Sequence, residues 1–163
     1  MILHVDDSKY LDSFSTIYNS SILLFKEEER WLATPETFAS QLENDINYIH
    51  ISDDGDADAF LSYHDYGDNH YELTSLYVSR EKQNQSIGYE LLSYFEKLLH
   101  ENHIIFVKVL NNAPWSISFY CKYGYNTLND NEKEIAISLG LEEKPWSTIL
   151  CKRIEVDENI WWD

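Results

Sequence analysis

The residues with the clearest chemical potential lie where a strand-like pattern passes through a polar stretch into a helical pattern that begins near Ile87. A helix N-terminus has unpaired N–H groups and a favourable dipole, so the amides from about Gln83 to Gly88 would suit a pyrophosphate. Gly88 has no side chain and would let a phosphate approach the backbone closely. Arg80 and Lys82 would add positive charge. The sequence therefore predicts an anion site in this loop.

Other common motifs are excluded by the positions of the five glycines, 55, 67, 88, 124 and 140. These positions permit no G-x-G-x-x-G dinucleotide turn, no P-loop and no G-x-S-x-G nucleophile elbow. The histidines form no H-E-x-x-H. His100 and His103 have a spacing that metal ligands can use, but their position at the end of a helical pattern favours a solvated helix end. The acidic run 53–58 has its glycine too early for an EF-hand loop, so a turn is favoured and no metal is expected.

The length and the charge set further bounds. With 163 residues, 44% of them hydrophobic, the chain suits one domain with a proper core. Its net charge of −17 argues against nucleic acid as a partner. Such a surface would attract cations, or would serve solubility alone. Cys121 and Cys151 fit reduced thiols of a cytoplasmic protein. The first residues do not read as a signal peptide, and no apolar stretch is long enough to span a membrane.

Hydrophobic periodicity predicts an α+β protein in the order β-α-α-β-β-β-α-β-α-β-β. Three closely spaced strands follow two helices and suggest an antiparallel meander. A nearly continuous apolar strand at 104–110 is expected to be buried, and residues 129–146 are interpreted as an irregular insertion. The predicted strands are 2–6, 46–52, 59–66, 71–78, 104–110, 125–128 and 147–155, and the predicted helices are 8–29, one starting at 34–35, 87–100, and one opening at 111–114.

Two motifs at a suitable separation resemble the GNAT superfamily of N-acetyltransferases. Residues 83–88, QNQSIG, stand where that family has [R/Q]-x-x-G-x-[G/A], with Ser86 in place of the first glycine. Residues 119–125, FYCKYGY, match its F-Y-x-K-x-G-[FY] element at every specified position. The resemblance covers about 71–128 well. It implies a single GNAT-type domain over 1–163, with a central, mostly antiparallel sheet of six or seven strands and helices on both faces.

The resemblance also implies residue roles. Main-chain groups at the end of the third meander strand would pair with the pantetheine arm of acetyl-CoA, and amides of the loop would hold its pyrophosphate. Tyr120 aligns with the tyrosine that often protonates the departing thiolate, and Glu72 lies where some members carry a general base. Asn112 lies near an asparagine often seen before the last helix, with a spacing to Tyr120 that is one residue longer than usual. The implied cofactor-binding residues are Leu76, Tyr77, Val78, Gln83, Asn84, Gln85, Ser86, Ile87, Gly88 and Asn112.

The reaction so implied is direct attack of a primary amine on acetyl-CoA in a ternary complex. An amine with a pKa of about 10.4 is protonated at neutral pH, so it needs a base, and the leaving thiolate needs a proton. The acidic balance favours a cationic small-molecule or peptide acceptor, and dimerisation is common in the family. Two alternatives stay open: a non-catalytic acyl-CoA-binding or sensor domain, and an acidic protein-interaction domain. Trp161 and Trp162 would belong to a tail or would dock on a second subunit.

Overall fold

The computed structural model of this protein describes residues 1–99 and 101–155. His100, Trp161 and Trp162, which figure in the sequence analysis, lie outside the described residues. The strands are β1 (Ile2–Val5), β2 (Ile46–Ile51), β3 (Ala57–Asp65), β4 (His70–Val78), β5 (His103–Leu110), β6 (Asn126–Thr127) and β7 (Ser147–Ile154). The α-helices are α1 (Leu11–Ser21), α2 (Ala39–Asn44), α3 (Ile87–Leu98), α4 (Pro114–Lys122) and α5 (Asp130–Ser138).

The chain divides into two compact units. The first contains Met1–His64 and Leu73–Lys97, and the second contains Asp65–Glu72 and the chain from Leu98 onward. In the first unit the strand order is β1-β2-β3-β4. Antiparallel pairing aligns Ile2 with His50 and Ile46 with Tyr63. The predicted meander of three closely spaced strands is therefore confirmed.

The core of the first unit is built from aromatic and aliphatic side chains of α1 and the sheet. Phe14 and Phe60 are fully buried and stack with their ring centroids 4.4 Å apart. Phe38 meets both rings edge-on. Stacked and edge-to-face pairs of this kind add stabilisation beyond the burial of apolar area. The same core fixes the C-terminal half of β4, because Tyr77 also packs against it.

Helix α3 follows directly from its sequence period. Four side chains at helical spacing are buried: Ile87, Leu91, Leu92 and Phe95. Phe95 lies against Tyr63 of β3, with ring centroids 4.5 Å apart. An apolar stripe of this width holds a helix against a sheet face. The N-terminus of α3 is thereby fixed at the end of the loop that follows β4.

The second unit contains the order β5-β7-β6. Strand β5 pairs antiparallel with β7 along its whole length, from His103 opposite Ile154 to Leu110 opposite Ser147. Its side chains are buried except at Lys108 and Leu110, which confirms the predicted buried strand. The N-terminal end of β4 also belongs to this unit, where the Ile104 N–H donates to the carbonyl of Asn69 at 3.1 Å.

The sequence prediction was wrong for residues 129–146, which contain a helix rather than an irregular insertion. Asn129 caps α5: its side chain accepts from the N–H of Glu132 at 2.8 Å, and Glu132 accepts from the N–H of Asn129 at 2.9 Å. This reciprocal capping box begins the helix. Ala136 and Leu141 then pack with Ile104 and Phe106. Only a few apolar residues face inward, so the helical period is weak among so many charges.

Two other boundaries differ. The predicted helix 8–29 contains α1, flanked by 3-10 turns, and it ends at Leu24, where Phe25 adopts an extended backbone. The second predicted helix starts at Pro35 as expected, but its first turn is 3-10 and only Ala39–Asn44 is α-helical. Among the described residues, none of the helices has the length and apolar character needed to cross a bilayer.

Candidate functional site

The predicted anion loop lies in the first unit, between the end of β4 at Val78 and the start of α3 at Ile87. The Ser79 N–H donates to the carbonyl of Asp58 at 2.8 Å, which extends the contact between β3 and β4 by one residue. A 3-10 turn follows at Arg80–Lys82, closed by the Lys82 N–H donating to the Ser79 carbonyl at 2.9 Å. The loop therefore leaves the strand along a fixed path.

Two side-chain contacts fix the first half of the loop. Gln83 Nε2 donates to the Val78 carbonyl at 3.1 Å, and Gln83 Oε1 accepts from Arg80 Nη1 at 3.2 Å. The Arg80 N–H donates to Ser20 Oγ at 2.8 Å, which connects the loop to the last turn of α1. The side chain of Gln83 therefore holds the loop against β4. This contact is separate from the role predicted for Gln83 from the sequence, which concerns its main-chain N–H.

The second half of the loop has an unusual backbone. Asn84 and Ser86 have φ values of 67° and 65°, in the left-handed region that favours glycine. Ser86 is the residue that stands where the family motif has its first glycine. The chain keeps the backbone conformation that a glycine would permit, at a cost of about 1–2 kcal/mol for a side chain in this region.

Helix α3 presents main-chain donors at its start. The Glu90 N–H donates to the Ser86 carbonyl at 2.9 Å, so the amides of Ile87, Gly88 and Tyr89 precede the first hydrogen bond of the helix. Ile87 is buried and anchors this turn in the core, while Ser86 is exposed. Main-chain donors at the start of a twelve-residue helix are the kind of feature that the sequence analysis predicted for an anion, and the anion site itself stays a prediction.

The C-terminal end of β4 carries the residues predicted to accompany a pantetheine arm. Leu76, Tyr77 and Val78 are half-buried. Tyr77 meets Tyr18 of α1 edge-on, with ring centroids 4.9 Å apart. Burial, and to a smaller extent the neighbouring Tyr18, raises the pKa of Tyr77 to about 12. Tyr77 is therefore a neutral packing residue, and the predicted role of this segment concerns its main chain alone.

The predicted proton donor lies in the second unit, on α4. Tyr120 is 6% exposed and contacts Phe119 and Tyr125 edge-on, at centroid distances of 5.2 Å and 5.4 Å. Pro114 opens the helix, and Gly124 ends it with a φ of 95°. The Tyr125 N–H donates back to the Tyr120 carbonyl at 3.0 Å. The aromatic motif therefore closes the helix around Tyr120 and holds its ring in one place.

Glu72, the predicted base, also belongs to the second unit. It lies on β4, half-buried, and its Oε1 accepts a 2.7 Å hydrogen bond from the Tyr66 hydroxyl. Tyr66 itself packs against the core of this unit. A carboxylate held by a single phenol keeps further acceptor sites for a water or an ammonium group.

Asn112 is exposed in the turn before α4, and its neighbour Asn111 has the better defined environment. Asn111 Nδ2 donates to the carbonyl of Pro145 at 3.2 Å, and its Oδ1 accepts from Thr148 Oγ1 at 2.6 Å. Asn111 thus links the end of β5 to β7. The sequence analysis passed over Asn111 because its partners lie more than thirty residues away.

The structure also contains a polar cluster that the sequence analysis missed. In the first unit His50 lies between Asp58 and Glu90. The pairing of β2 and β3 slips at this point: His50 is opposite Ala59 and Ile51 is opposite Ala57, so Asp58 is an extra residue in β3. Such a bulge redirects a side chain, and the alternation of the sequence gives no sign of it.

Among the described residues, no group of three or more His, Cys, Asp or Glu side chains is arranged to hold a metal ion. The sequence prediction was wrong for His103, which was expected at a solvated helix end: it is buried on β5 and meets Tyr71 edge-on, with ring centroids 5.6 Å apart. Residues 53–56 of the acidic run form the predicted turn between β2 and β3, whereas Ala57 and Asp58 already belong to β3. In the turn, Asp54 accepts hydrogen bonds from the Ser52 hydroxyl and the Asp56 N–H.

Residues 11–125 match the model of the acetyltransferase (GNAT) family. The chain belongs to this family. The matched segment contains both motifs that carried the resemblance, the loop 83–88 and the aromatic helix end 119–125. It ends before α5, β6 and β7, so the last part of the chain is outside the family match. No curated protein sequence matches this chain.

Solved structures agree with the family assignment in their fold. The PaiA N-acetyltransferase from Thermoplasma acidophilum, solved in complex with coenzyme A, has a TM-score of 0.72 at 17% identity, covering 94% of this chain and 99% of that one. The ribosomal-protein-S18-alanine N-acetyltransferase from Escherichia coli has a TM-score of 0.70 at 17% identity, covering 98% of both chains. An acetyltransferase from Thermus thermophilus has a TM-score of 0.72 at 14% identity, with 94% and 97% coverage.

These similarities confirm the GNAT-type fold and place the chain among acetyltransferases. The mixed α and β composition, with seven strands in the described residues, is the fold class that the sequence predicted. As a GNAT member, this protein has Ser86 at the first glycine position of the motif while keeping the left-handed backbone there.

Proposed function

We propose that this GNAT protein transfers an acetyl group from acetyl-CoA to a primary amine, by direct attack in a ternary complex. The observation that carries the proposal is the loop after β4. Its path is fixed at both ends, its backbone is left-handed at Ser86, and the amides of Ile87 and Gly88 lie ahead of the first hydrogen bond of α3. The structure of PaiA with coenzyme A supports acetyl-CoA as the ligand of this loop.

In this proposal the loop after β4 binds the pyrophosphate of acetyl-CoA, and the C-terminal end of β4 binds its pantetheine arm. The amides at the start of α3 and the helix dipole hold the pyrophosphate, with Lys82 as a nearby cation. Main-chain groups of Leu76 to Val78 pair with the pantetheine amides in the manner of an added strand. The Val78 carbonyl already accepts from Gln83. A carbonyl has two lone pairs, so a second donor can still be accommodated.

The proposed chemistry needs one base and one acid. Glu72, directly or through a water, takes a proton from the ammonium group of the acceptor. The amine nitrogen then forms a bond to the thioester carbonyl carbon, and the carbon–sulfur bond breaks as the tetrahedral intermediate collapses. Tyr120 gives its phenolic proton to the departing thiolate, the second proton of the attacking nitrogen passes to water as the neutral amide forms, and Tyr120 is reprotonated from water. No covalent enzyme intermediate is required, so no nucleophile motif is needed.

A cationic acceptor remains our preferred substrate class. The chain has a net charge of −17, so its surface attracts ammonium groups. The ribosomal-protein-S18-alanine enzyme acetylates an alanine according to its name. Peptide N-termini therefore belong in the acceptor panel beside polyamines, amino sugars and lysine peptides.

A second candidate function is a non-catalytic acyl-CoA-binding domain. One specific observation favours it, the side chain of Ser86. A serine hydroxyl adds bulk where the motif has a glycine, so the loop could bind coenzyme A without supporting fast turnover. This second candidate predicts coenzyme A binding with no acetyl transfer to any amine of a broad panel.

Turnover decides between the two candidates. Release of free coenzyme A is measured from acetyl-CoA with each amine, and the acetylated product is identified by mass. Tyr120→Phe is compared with Tyr123→Phe, a change of the same kind in the turn that follows α4. Product from the wild-type protein, with a loss specific to Tyr120→Phe, supports the proposal. Equal turnover in both variants would show that Tyr120 is not the acid. If the wild-type protein forms no product, the non-catalytic acyl-CoA-binding function is supported instead.

A further inference from the structure

A buried histidine in the first unit touches two carboxylates from different elements. His50, on β2, is 7% exposed. Its Nδ1 lies 2.6 Å from Asp58 Oδ1, and its Nε2 lies 3.3 Å from Glu90 Oε2. Asp58 is 2% exposed, and its Oδ2 has no hydrogen-bond partner among the described residues. His50 is therefore the side-chain donor on which the buried carboxylate depends.

The contacts of His50 with Asp58 and with Glu90 can both be hydrogen bonds in only one charge state of the imidazole ring. A neutral imidazole has one N–H donor and one acceptor nitrogen, whereas an ionised carboxylate only accepts. Both contacts are hydrogen bonds only when His50 is protonated on both nitrogens. When the ring is neutral, its proton serves the buried Asp58, and the lone pair of Nε2 faces Glu90. The Glu90 side chain is 55% exposed, so it can then turn toward water.

Both carboxylate residues are also attached to the anion loop through their main chains. The Asp58 carbonyl accepts from the N–H of Ser79, the first residue of the loop, at 2.8 Å. The Glu90 N–H donates to the carbonyl of Ser86, the last residue of the loop, at 2.9 Å. A protonated His50 therefore joins the two residues that hold the ends of the segment 79–86.

The charge of Glu90 matters because of its position. It lies in the first turn of α3, beside the amides that would meet a pyrophosphate. A free carboxylate there opposes the binding of another anion, while a carboxylate paired with an imidazolium does so less. The state of His50 thus changes the charge that the loop presents.

Other charged groups face the same space, an open pocket of about 500 Å³. The turn after β2 contributes Asp53 and Asp54, and the loop contributes Lys82. Hydrogen bonds from the Ser52 hydroxyl and then from the Asp56 N–H lower the pKa of Asp54, so this carboxylate stays ionised. Among the described residues, the ion-pair contacts of His50 are those with Asp58 and Glu90.

We propose that His50 is a positioning residue for the anion loop of this protein, and that its protonation strengthens the binding of coenzyme A. The inference rests on the proposed function, because it takes coenzyme A as the ligand of the loop. Protonation lets the ring donate to Asp58 and Glu90 together, links the two residues whose main chains bond to Ser79 and Ser86, and neutralises a carboxylate in the first turn of α3.

The test is a pH series of coenzyme A binding to the whole chain. Dissociation constants are measured by calorimetry between about pH 6 and pH 8, the range in which histidine side chains as a class commonly change charge. The phosphate of coenzyme A titrates near pH ~6 and adds its own slope. Glu134→Gln, an exposed substitution in α5 that removes the same charge as Glu90→Gln, leaves His50 and Glu90 in place and serves as the control that should keep the wild-type profile.

We expect the wild type and Glu134→Gln to lose about fivefold in affinity toward pH 8, beyond the ligand's own slope. His50→Gln should lose this pH-dependent part. Glu90→Gln should bind about threefold more tightly than the wild type at pH 8, with a flatter profile. Because Glu90 is exposed, this second variant keeps the test valid if His50→Gln fails to fold.

Two results would overturn the inference, and they differ in whether the proposed function is also refuted. If the wild type binds coenzyme A and both variants keep its pH profile, the positioning role is wrong while the proposed function stands. If the wild type binds no coenzyme A at any pH, the proposed function and the inference fall together.

Discussion

The Tyr66 hydroxyl donates a 2.7 Å hydrogen bond to Glu72 Oε1, so the proposed base is held by a phenol six residues before it in the chain. If Glu72 is the base, Glu72→Gln should lower kcat by about 10²-fold or more. Tyr66→Phe keeps the ring but removes the donor, and it should lower kcat by about tenfold, because a hydrogen bond to a charged group that orients it is lost. Steady-state kinetics on the best amine measures both.

The control for these two variants is Tyr71→Phe, which removes the phenol hydroxyl of the residue next to Glu72 on β4. The pKa of Tyr71 is raised by burial and by neighbouring carboxylates, and Tyr71 has no role in the proposal. Wild-type kcat in Glu72→Gln would show that another group, or a water, accepts the proton.

Replacement of Ser86 by glycine should increase the stability of the folded protein. Its φ of 65° is strained for a side chain, so Ser86→Gly should raise the free energy of unfolding by about 0.5–1 kcal/mol, after the added freedom of the unfolded chain is subtracted. Ser93→Gly, inside α3, should lower it by about 1 kcal/mol. Denaturant unfolding of the two variants compares the same substitution in two backbone conformations. A loss of stability in Ser86→Gly would mean that the hydroxyl makes a contact worth more than the strain.

The two cysteines should differ in reactivity. Cys121 is exposed and Cys151 is buried. Burial, with a further contribution from the neighbouring Glu132, raises the pKa of Cys151 to about 12. Thiolates are the reactive form, so alkylation of the native protein at neutral pH should modify Cys121 alone, and denaturant should expose Cys151. Mass analysis of the labelled peptides distinguishes the two sites.

The same pKa shift predicts an effect of pH on stability. The folded-state pKa of Cys151 is raised, so its contribution to stability is complete below the unfolded pKa of about 9 and is lost as pH rises toward about 12. Cys151→Ala should therefore flatten the alkaline loss of unfolding free energy. An unchanged alkaline limb would place that loss in other groups, such as Tyr77, whose pKa is also raised to about 12.

The cap of α5 tests the helix that the sequence analysis missed. Asn129→Ala removes the side-chain acceptor of the Glu132 N–H and should cost about 1 kcal/mol of unfolding free energy. Asn131→Ala, an exposed position within the same helix, should be neutral or slightly stabilising. Equal effects of the two variants would show that the capping box contributes little.

Most of the fold could be predicted, because periodicity and turn residues are local properties. The apolar stripe of α3 and the continuous run of β5 fixed the type of each element, and Gly124 marked the end of α4. Helix α5 could not be predicted, because charged side chains dominate its period and its stability depends on a cap and on contacts with β5. The early end of the first helix was missed, because residues 26–30 are Lys, Glu and Arg, which favour helix, although the chain leaves the helix at Phe25.

The candidate site divides in the same way. The loop 83–88 could be chosen as a candidate from the sequence, because the role predicted for it depends on main-chain groups at the start of a strongly periodic helix. The cluster of His50, Asp58 and Glu90 was missed, because a bulge in β3 and a contact forty residues away in sequence create it. Asn111 was passed over in favour of Asn112 because its partners come from β7 and the segment before it.

The measurement that tests the central claim most directly is a calorimetric titration of the whole chain with acetyl-CoA and with coenzyme A. We expect roughly micromolar binding of both, which corresponds to about 8 kcal/mol. Ser86→Asp, which adds a carboxylate to the loop, should weaken binding by more than tenfold, while Ser138→Asp, the same change on α5, should leave it unchanged. Wild-type protein that binds neither ligand, or Ser86→Asp that binds as tightly as Ser138→Asp, would contradict the assignment of the loop after β4 as the acetyl-CoA site.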